Sequence, residues 1–297
     1  MQKITPFLWF DNQAEEAINL YTSCFKNSQI TSMNYYPEGR DEPHMQGMEG
    51  KVLTAIYELE NQQFMALDGG SVFKFSPALS FFVNCETEAE VDALYATLSD
   101  GGSVLMELQA YPFSEKFAWI ADKFGLSWQL SLAPREQKIT PFMMFVGEQH
   151  GKAEEAINFY TSLFENSGMV SISRYAGGDG GDAGTVQHAI FKLHGQEFMA
   201  IDSNYAHDFT FTEAMSFYVN CETQDEVNAL WDKLSAVPEA EQCGWLKDKY
   251  GISWQIIPTV LGELLSDPDP VKSERVMTAM LQMKKIDIAD LQKAHAG

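Results

Sequence analysis

The chain carries the same text twice, in the same order. Ile4-Thr5-Pro6-Phe7 returns as Ile139-Thr140-Pro141-Phe142, and Ala14 to Tyr21 (AEEAINLY) returns as Ala153 to Tyr160 (AEEAINFY). Phe64-Met65-Ala66-Leu67-Asp68 returns as Phe198-Met199-Ala200-Ile201-Asp202, and Ser80 to Thr87 returns as Ser216 to Thr223. Asp122-Lys123-Phe124-Gly125-Leu126-Ser127-Trp128-Gln129 returns as Asp248-Lys249-Tyr250-Gly251-Ile252-Ser253-Trp254-Gln255. So long a period excludes a solenoid and predicts two homologous domains, residues 1–134 and 135–258, followed by a tail of 259–297 outside the repeat. The separation between copies falls from 136 at Cys85/Cys221 to 126 at Gln129/Gln255, which places a deletion between Leu234 and Trp245. In the first copy that stretch includes Gly101 to Phe113, which alternates like strand. The second copy should therefore have short or missing strands there and a more open edge.

Within a copy the apolar period changes in a fixed order. Ile4 to Phe10 reads as a strand, and Ala14, Ala17, Ile18, Tyr21 and Phe25 recur at helical spacing with Glu15 and Glu16 in the first turn. Gln29 to Tyr36, Val52 to Leu59 and Phe64 to Asp68 read as strands in series. A second unit opens with Ala78 to Cys85, continues through a helix capped by Thr87-Glu88-Ala89-Glu90, and closes on the strand Leu126 to Leu132. Each copy is thus two strand–helix–strand–strand–strand units, an α+β class. In the tail, Asp269-Pro270 starts a helix carrying Val276, Met280 and Met283 on one face, and a short helix from Asp287 through Leu291 follows. The tail reads as a packing or dimer-contact appendage.

A formal charge of −22 argues against nucleic acid and anionic lipid as partners, because both demand a basic footprint. No apolar run is long enough to span a bilayer, and Met-Gln-Lys-Ile at the start has no signal-peptide organisation. Cys24, Cys85, Cys221 and Cys243 form no paired motif, so a reducing, cytoplasmic setting is expected. Gly177-Gly178-Asp179-Gly180-Gly181-Asp182 matches the start of a calcium β-roll repeat. It stands alone, however, and no Lys-Ser/Thr follows to make a phosphate loop. This 177–184 stretch and its counterpart from Pro37 to Gly50 read as mobile strand connections.

The ITPF strand, the AEEAINxY helix, the FMAxD strand and the closing DKxGxSWQ block together resemble the vicinal oxygen chelate superfamily. The match is to its PhnB-like branch, the "3-demethylubiquinone-9 3-methyltransferase" domains, in a tandem form. The resemblance implies tandem domains of paired βαβββ modules whose curved sheets enclose a cavity. It also implies an intrachain pseudo-dimer, with a homodimer as a further level. Enzymes of the superfamily hold a divalent metal on inner strands through His and carboxylate ligands. The matching positions here carry Pro6 and Pro141, Ala78 and Ala214, and Gln129 and Gln255, so neither a metal nor any other cofactor is expected. A methyltransferase of the common nucleotide-binding type would alternate strands with helices behind a glycine-rich turn, and this chain does not.

His188 is the sharpest difference between the copies, with Thr54 in its place in the first. It shares a strand face with Val186 and Ile190, while Ala189, Phe191 and Leu193 make a wholly apolar opposite face suited to lie under helices. That assigns His188 to the cavity of the second copy, where a neutral imidazole is a candidate base or hydrogen-bond donor. Asp202 and Gln255 are the other catalytic candidates, and Cys243 a weaker one that lacks a neighbouring base. Ser253, Gln242, Trp245, Gln129 and Asp68 are candidate ligand contacts; a turn-forming role competes for Asp68, which precedes Gly69-Gly70. Trp128 and Trp254 face away and read as core. The function expected is binding or transformation of a small polar metabolite in the second-domain cavity. Its rivals are ligand sequestration without chemistry, and the methyltransferase activity of the family label.

Overall fold

The computed structural model describes residues 2–37, 47–177 and 181–297; the parts of the two expected mobile connections at 38–46 and 178–180 lie outside the described residues. The first copy runs β1 (Ile4–Phe10), α1 (Ala14–Cys24), β2 (Gln29–Tyr35), β3 (Val52–Leu59) and β4 (Gln62–Asp68). It continues with β5 (Leu79–Cys85), α2 (Glu88–Leu98), β6 (Ser103–Tyr111), β7 (Ser114–Ala121) and β8 (Ser127–Leu132). The second runs β9 (Ile139–Phe145), α3 (Ala153–Thr161), β10 (Gly168–Arg174), β11 (Val186–Leu193) and β12 (Gln196–Asp202). Then come β13 (Met215–Cys221), α4 (Gln224–Leu234), β14 (Trp245–Lys247) and β15 (Ser253–Pro258). The tail forms α5 (Thr259–Leu265), α6 (Pro270–Leu281) and α7 (Ile288–Ala296).

These elements gather into two compact units, residues 6–215 and residues 216–297 together with 1–5. The larger unit holds an eight-stranded sheet in the order β10-β11-β12-β9-β5-β8-β7-β6. Half of its strands come from each sequence copy. They join where β5 and β9 run antiparallel, with Ser80 opposite Phe142 and Phe82 opposite Thr140. The sequence repeat is therefore not the hydrogen-bonded unit: the second module of one copy completes its sheet with the first module of the next. The same compact unit also holds β4, β3 and β2, with β4 parallel to β1 in the register Phe7 to Met65.

Alternation gives the eight-stranded sheet two unlike faces. Helices α2 and α3 cover one of them. Buried on that side are Phe81, Trp128, Leu130, Phe145, Phe191 and Phe198, as expected for Trp128. Buried carboxylates hold the helices and turns in place. Asp122 accepts from the backbone N–H of Phe124 and Leu126, from Trp128 Nε1 and from Tyr21 Oη at 2.7 Å, which ties the AEEAINxY helix to the closing strand. The closing block is thus a scaffold staple, with Gly125 supplying the left-handed turn at φ +88°.

In the smaller unit β14-β15-β13 form a ladder with α4 against one face. Where the first copy spends nine residues on β6 and eight on β7, the second has only the three of β14. The expected strand loss is present, but the edge is not open. The N–H groups of Cys243 and Gly244 donate to the carbonyls of Met283 and Lys284, each at 2.8 Å, so the tail takes the place of the lost strand. Gln224 clamps the same segment, donating to Ile286 O and accepting from Ile288 N. Beneath it Ile257, Leu261, Val276, Ile286 and Leu291 form a buried cluster against which Tyr218, Met280 and Met283 pack.

Candidate functional site

The face of the eight-stranded sheet opposite α2 and α3 is the site candidate. Phe142, Met144, Val146, Ile190 and Met199 form a buried apolar cluster there, and Phe82, Trp119, Ile201 and Phe209 pack against it half-buried. On β11, His188 shares the face of Ile190, and the register Ala189 to Ala200 sets it beside Ile201 on β12. Burial pushes the His188 imidazole below its ordinary value, and the charge of Arg135 adds to the effect, so the ring is neutral at neutral pH. Arg135 itself is engaged by Glu197 Oε2, at 3.2 Å from Nε and 2.8 Å from a terminal nitrogen.

Gln129 lies on the same face, in register with Phe82 and Trp119, and its amide donates to Ser80 Oγ at 3.0 Å. Trp119 Nε1 donates to Ser127 Oγ at 2.7 Å. His188 from the second copy and Gln129 from the first therefore belong to one sheet face. Gln255 belongs to the smaller unit, where it donates to Ser216 Oγ at 3.0 Å. Ser253 and Trp245 lie on the β15 and β14 faces that carry Gln255; Ser253 Oγ is buried without a hydrogen-bond partner among the described residues, and Trp245 is half-buried.

Three of the sequence candidates have other work. Asp202 is fully buried and accepts from the backbone N–H of Gly151, Ala153 and Val186, at 2.8, 3.2 and 2.8 Å. It caps the start of α3 and anchors β11 rather than facing a ligand. Asp68 does the same in the first copy through Ala14 N and Val52 N, both at 2.9 Å, which is a helix cap rather than a turn. Burial raises the Cys243 thiol above its ordinary value, against the thiolate a nucleophile needs. Its neighbour Gln242 is exposed. Sequence reasoning missed Ser80, Phe82, Trp119, Phe142 and Phe209. The signal for Phe82, Trp119 and Phe142, aromatic residues on the face that alternation assigns to His188, emerges only when β5, β8 and β7 of one copy are placed beside β9 to β12 of the other.

A divalent metal of the kind the superfamily uses does not fit these residues. Pro141 pairs with Phe81 and so lies on the helix-covered face, and its neighbours on the open face are Thr140 and Phe142. Gln129 and Gln255 spend their amides on serine hydroxyls. Among the described residues no group of three His, Cys, Asp or Glu side chains is arranged to hold a metal.

Paired βαβββ modules of this kind define the glyoxalase-like, vicinal oxygen chelate fold class. In line with this, the chain is similar in fold to maize (Zea mays) glyoxalase I, with a TM-score of 0.52 at 12% identity, over 84% of this chain and 92% of that one. The chain belongs to the family described as 3-demethylubiquinone-9 3-methyltransferase, whose pattern matches twice, at residues 2–131 and 137–257. It is 48% identical to a putative 3-demethylubiquinone-9 3-methyltransferase, a PhnB protein, from Bacillus cereus, over 44% of this chain and 100% of that one, with a TM-score of 0.42. A protein from Pseudomonas aeruginosa is 24% identical over 44% of this chain and 97% of that one, with a TM-score of 0.38. No curated protein matches the chain.

Proposed function

We propose that the face of the eight-stranded sheet opposite α2 and α3 binds a small molecule with a substantial apolar or aromatic body, with His188 supplying a neutral polar contact. The observation that carries this reading is the lining. Phe82, Trp119, Ile201 and Phe209 leave apolar surface exposed at the edge of the cluster, and His188 adjoins it. The ligand expected is therefore less polar than the metabolite suggested by the sequence. Binding is favoured over transformation because Asp202 is committed to three backbone donors. The family description names a methyltransferase, whereas these side chains make no case for a bound methyl donor.

The duplicated chain supplies its own control. Trp9 holds the first-copy position that corresponds to Met144, and it packs edge-on against Phe73 at 5.1 Å. Met144→Trp therefore installs a residue that the fold accepts at the equivalent place, and it should fill the face. The neutral fluorophore N-phenyl-1-naphthylamine should brighten on mixing with the wild-type chain and bind Met144→Trp about ten-fold or more weakly, a loss of about 1.4 kcal/mol. Equal binding to both would refute the assignment of this face.

A further inference from the structure

Resting on that reading, we propose that Ser203, His207 and His188 form a head-group subsite at one end of the apolar face, selective for an uncharged hydroxyl, phenol or amide. Ser203 follows β12 directly, and its N–H donates to Phe145 O at 3.0 Å, extending the parallel ladder by one residue. Alternation from Met199 and Ile201 turns its side chain to the same face. Ser203 Oγ lies 3.0 Å from His207 Nε2. The His207 ring rests on Phe209, with centroids 4.6 Å apart, and Phe209 is one of the residues packed on the apolar cluster. His188 lies on the same face of β11 opposite Ile201, which precedes Ser203 by two residues.

A neutral imidazole offers one donor and one acceptor, and a serine hydroxyl offers both. The corner thus matches a group that both gives and takes a hydrogen bond. Burial lowers the pKa of His207, as it does that of His188, so both rings are uncharged at neutral pH. A carboxylate would give up its hydration there, and Arg135, the cation whose charge reaches His188, is already paired with Glu197.

The first copy shows what the corner is without a subsite. Between Asp68 and Phe75 it reads Gly69-Gly70-Ser71-Val72-Phe73-Lys74. The second copy has Ser203 where the first has Gly69, and it is two residues longer between Asp202 and Phe211, a stretch that carries His207. In the first copy Trp9 Nε1 donates to Gly70 O at 2.9 Å, and a Cβ on Gly69 would lie 2.0 Å from the indole. Thr54, in place of His188, accepts from Asn34 Nδ2 at 3.3 Å. All three polar groups are thus present in one copy and replaced in the other.

The test is displacement of N-phenyl-1-naphthylamine from the full-length chain by 2-naphthol and by 2-naphthoate. In the wild type 2-naphthol should displace it at least about ten-fold more effectively than 2-naphthoate. Ser203→Ala, His207→Phe and His188→Thr should each weaken 2-naphthol by about ten-fold, the worth of one lost hydrogen bond. His207→Phe keeps a ring on Phe209, and His188→Thr installs the residue of the first copy. Equal displacement by the two naphthyl compounds, or variants that bind 2-naphthol as the wild type does, would overturn the subsite while leaving the apolar face standing. A wild-type chain that binds no fluorophore would overturn both.

Discussion

His188 has two properties that can be measured without knowing a ligand: its face and its charge. The face was legible in the sequence, because Val186 and Ile190 share it and the opposite side is wholly apolar. The charge was not, since it depends on burial and on Arg135, which arrives from the β8–β9 connection. Both His188 and His207 titrate below the ordinary value of about 6.5. The sign follows: on acidification the unfolded chain takes up these protons before the folded one does, so stability is kept above about pH 6.5 and lost as pH falls through and below it. Urea denaturation should show that His188→Thr loses less stability than the wild type between about pH 7 and pH 5. Parallel curves would mean that the ring is solvated. His207 escaped notice for a different reason: it sits in a loop whose extra length, not whose pattern, marks it. The carboxylates misled because each caps a helix from far along the chain, Asp68 reaching Ala14 from 54 residues away.

Among the elements, strand and helix positions followed from period and caps, and the closing strand observed at Ser127–Leu132 is one residue shorter than expected. The Thr87 and Thr223 caps are made as read, each side chain accepting from the N–H three residues on. The offset between copies located the lost strand. It carried no information on what would cover the edge, because the tail has no counterpart with which to compare it. Packing supplies the answer. Ile286 is fully buried, and Gly244, at φ +87°, lets the tail approach: a Cβ there would lie 2.3 Å from Ile257 Cδ1 and 3.3 Å from Ile286 Cγ1. Ile286→Ala should cost about 2–4 kcal/mol. Hydrogen exchange at the Cys243 and Gly244 amides should accelerate with it, since their acceptors are tail carbonyls. Unchanged exchange at those two amides would show that the tail does not hold the edge.

For the whole molecule, the sequence copy and the structural unit are different objects, and the difference predicts how a copy behaves alone. In the intact chain β5 pairs with β9, the strand opened by Ile139-Thr140-Pro141-Phe142. Residues 1–134 alone lack β9, which leaves β5 with a long apolar edge unpaired, a state that chains avoid. The only equivalent strand available is Ile4-Thr5-Pro6-Phe7, identical in sequence and, in a second molecule, free to lie antiparallel to β5 with the same register. Two such molecules can satisfy both edges by exchange, giving a closed two-fold pair. Sedimentation equilibrium of residues 1–134 should therefore give twice the single-chain mass. A Pro substitution at Asn84, whose N–H faces the β9 side and donates to Lys138 O at 2.8 Å in the intact chain, should disrupt the pair. A folded monomer at micromolar concentration would show that β5 tolerates an open edge. The β5–β9 junction would then be a consequence of tethering rather than the reason the two copies are kept in one chain.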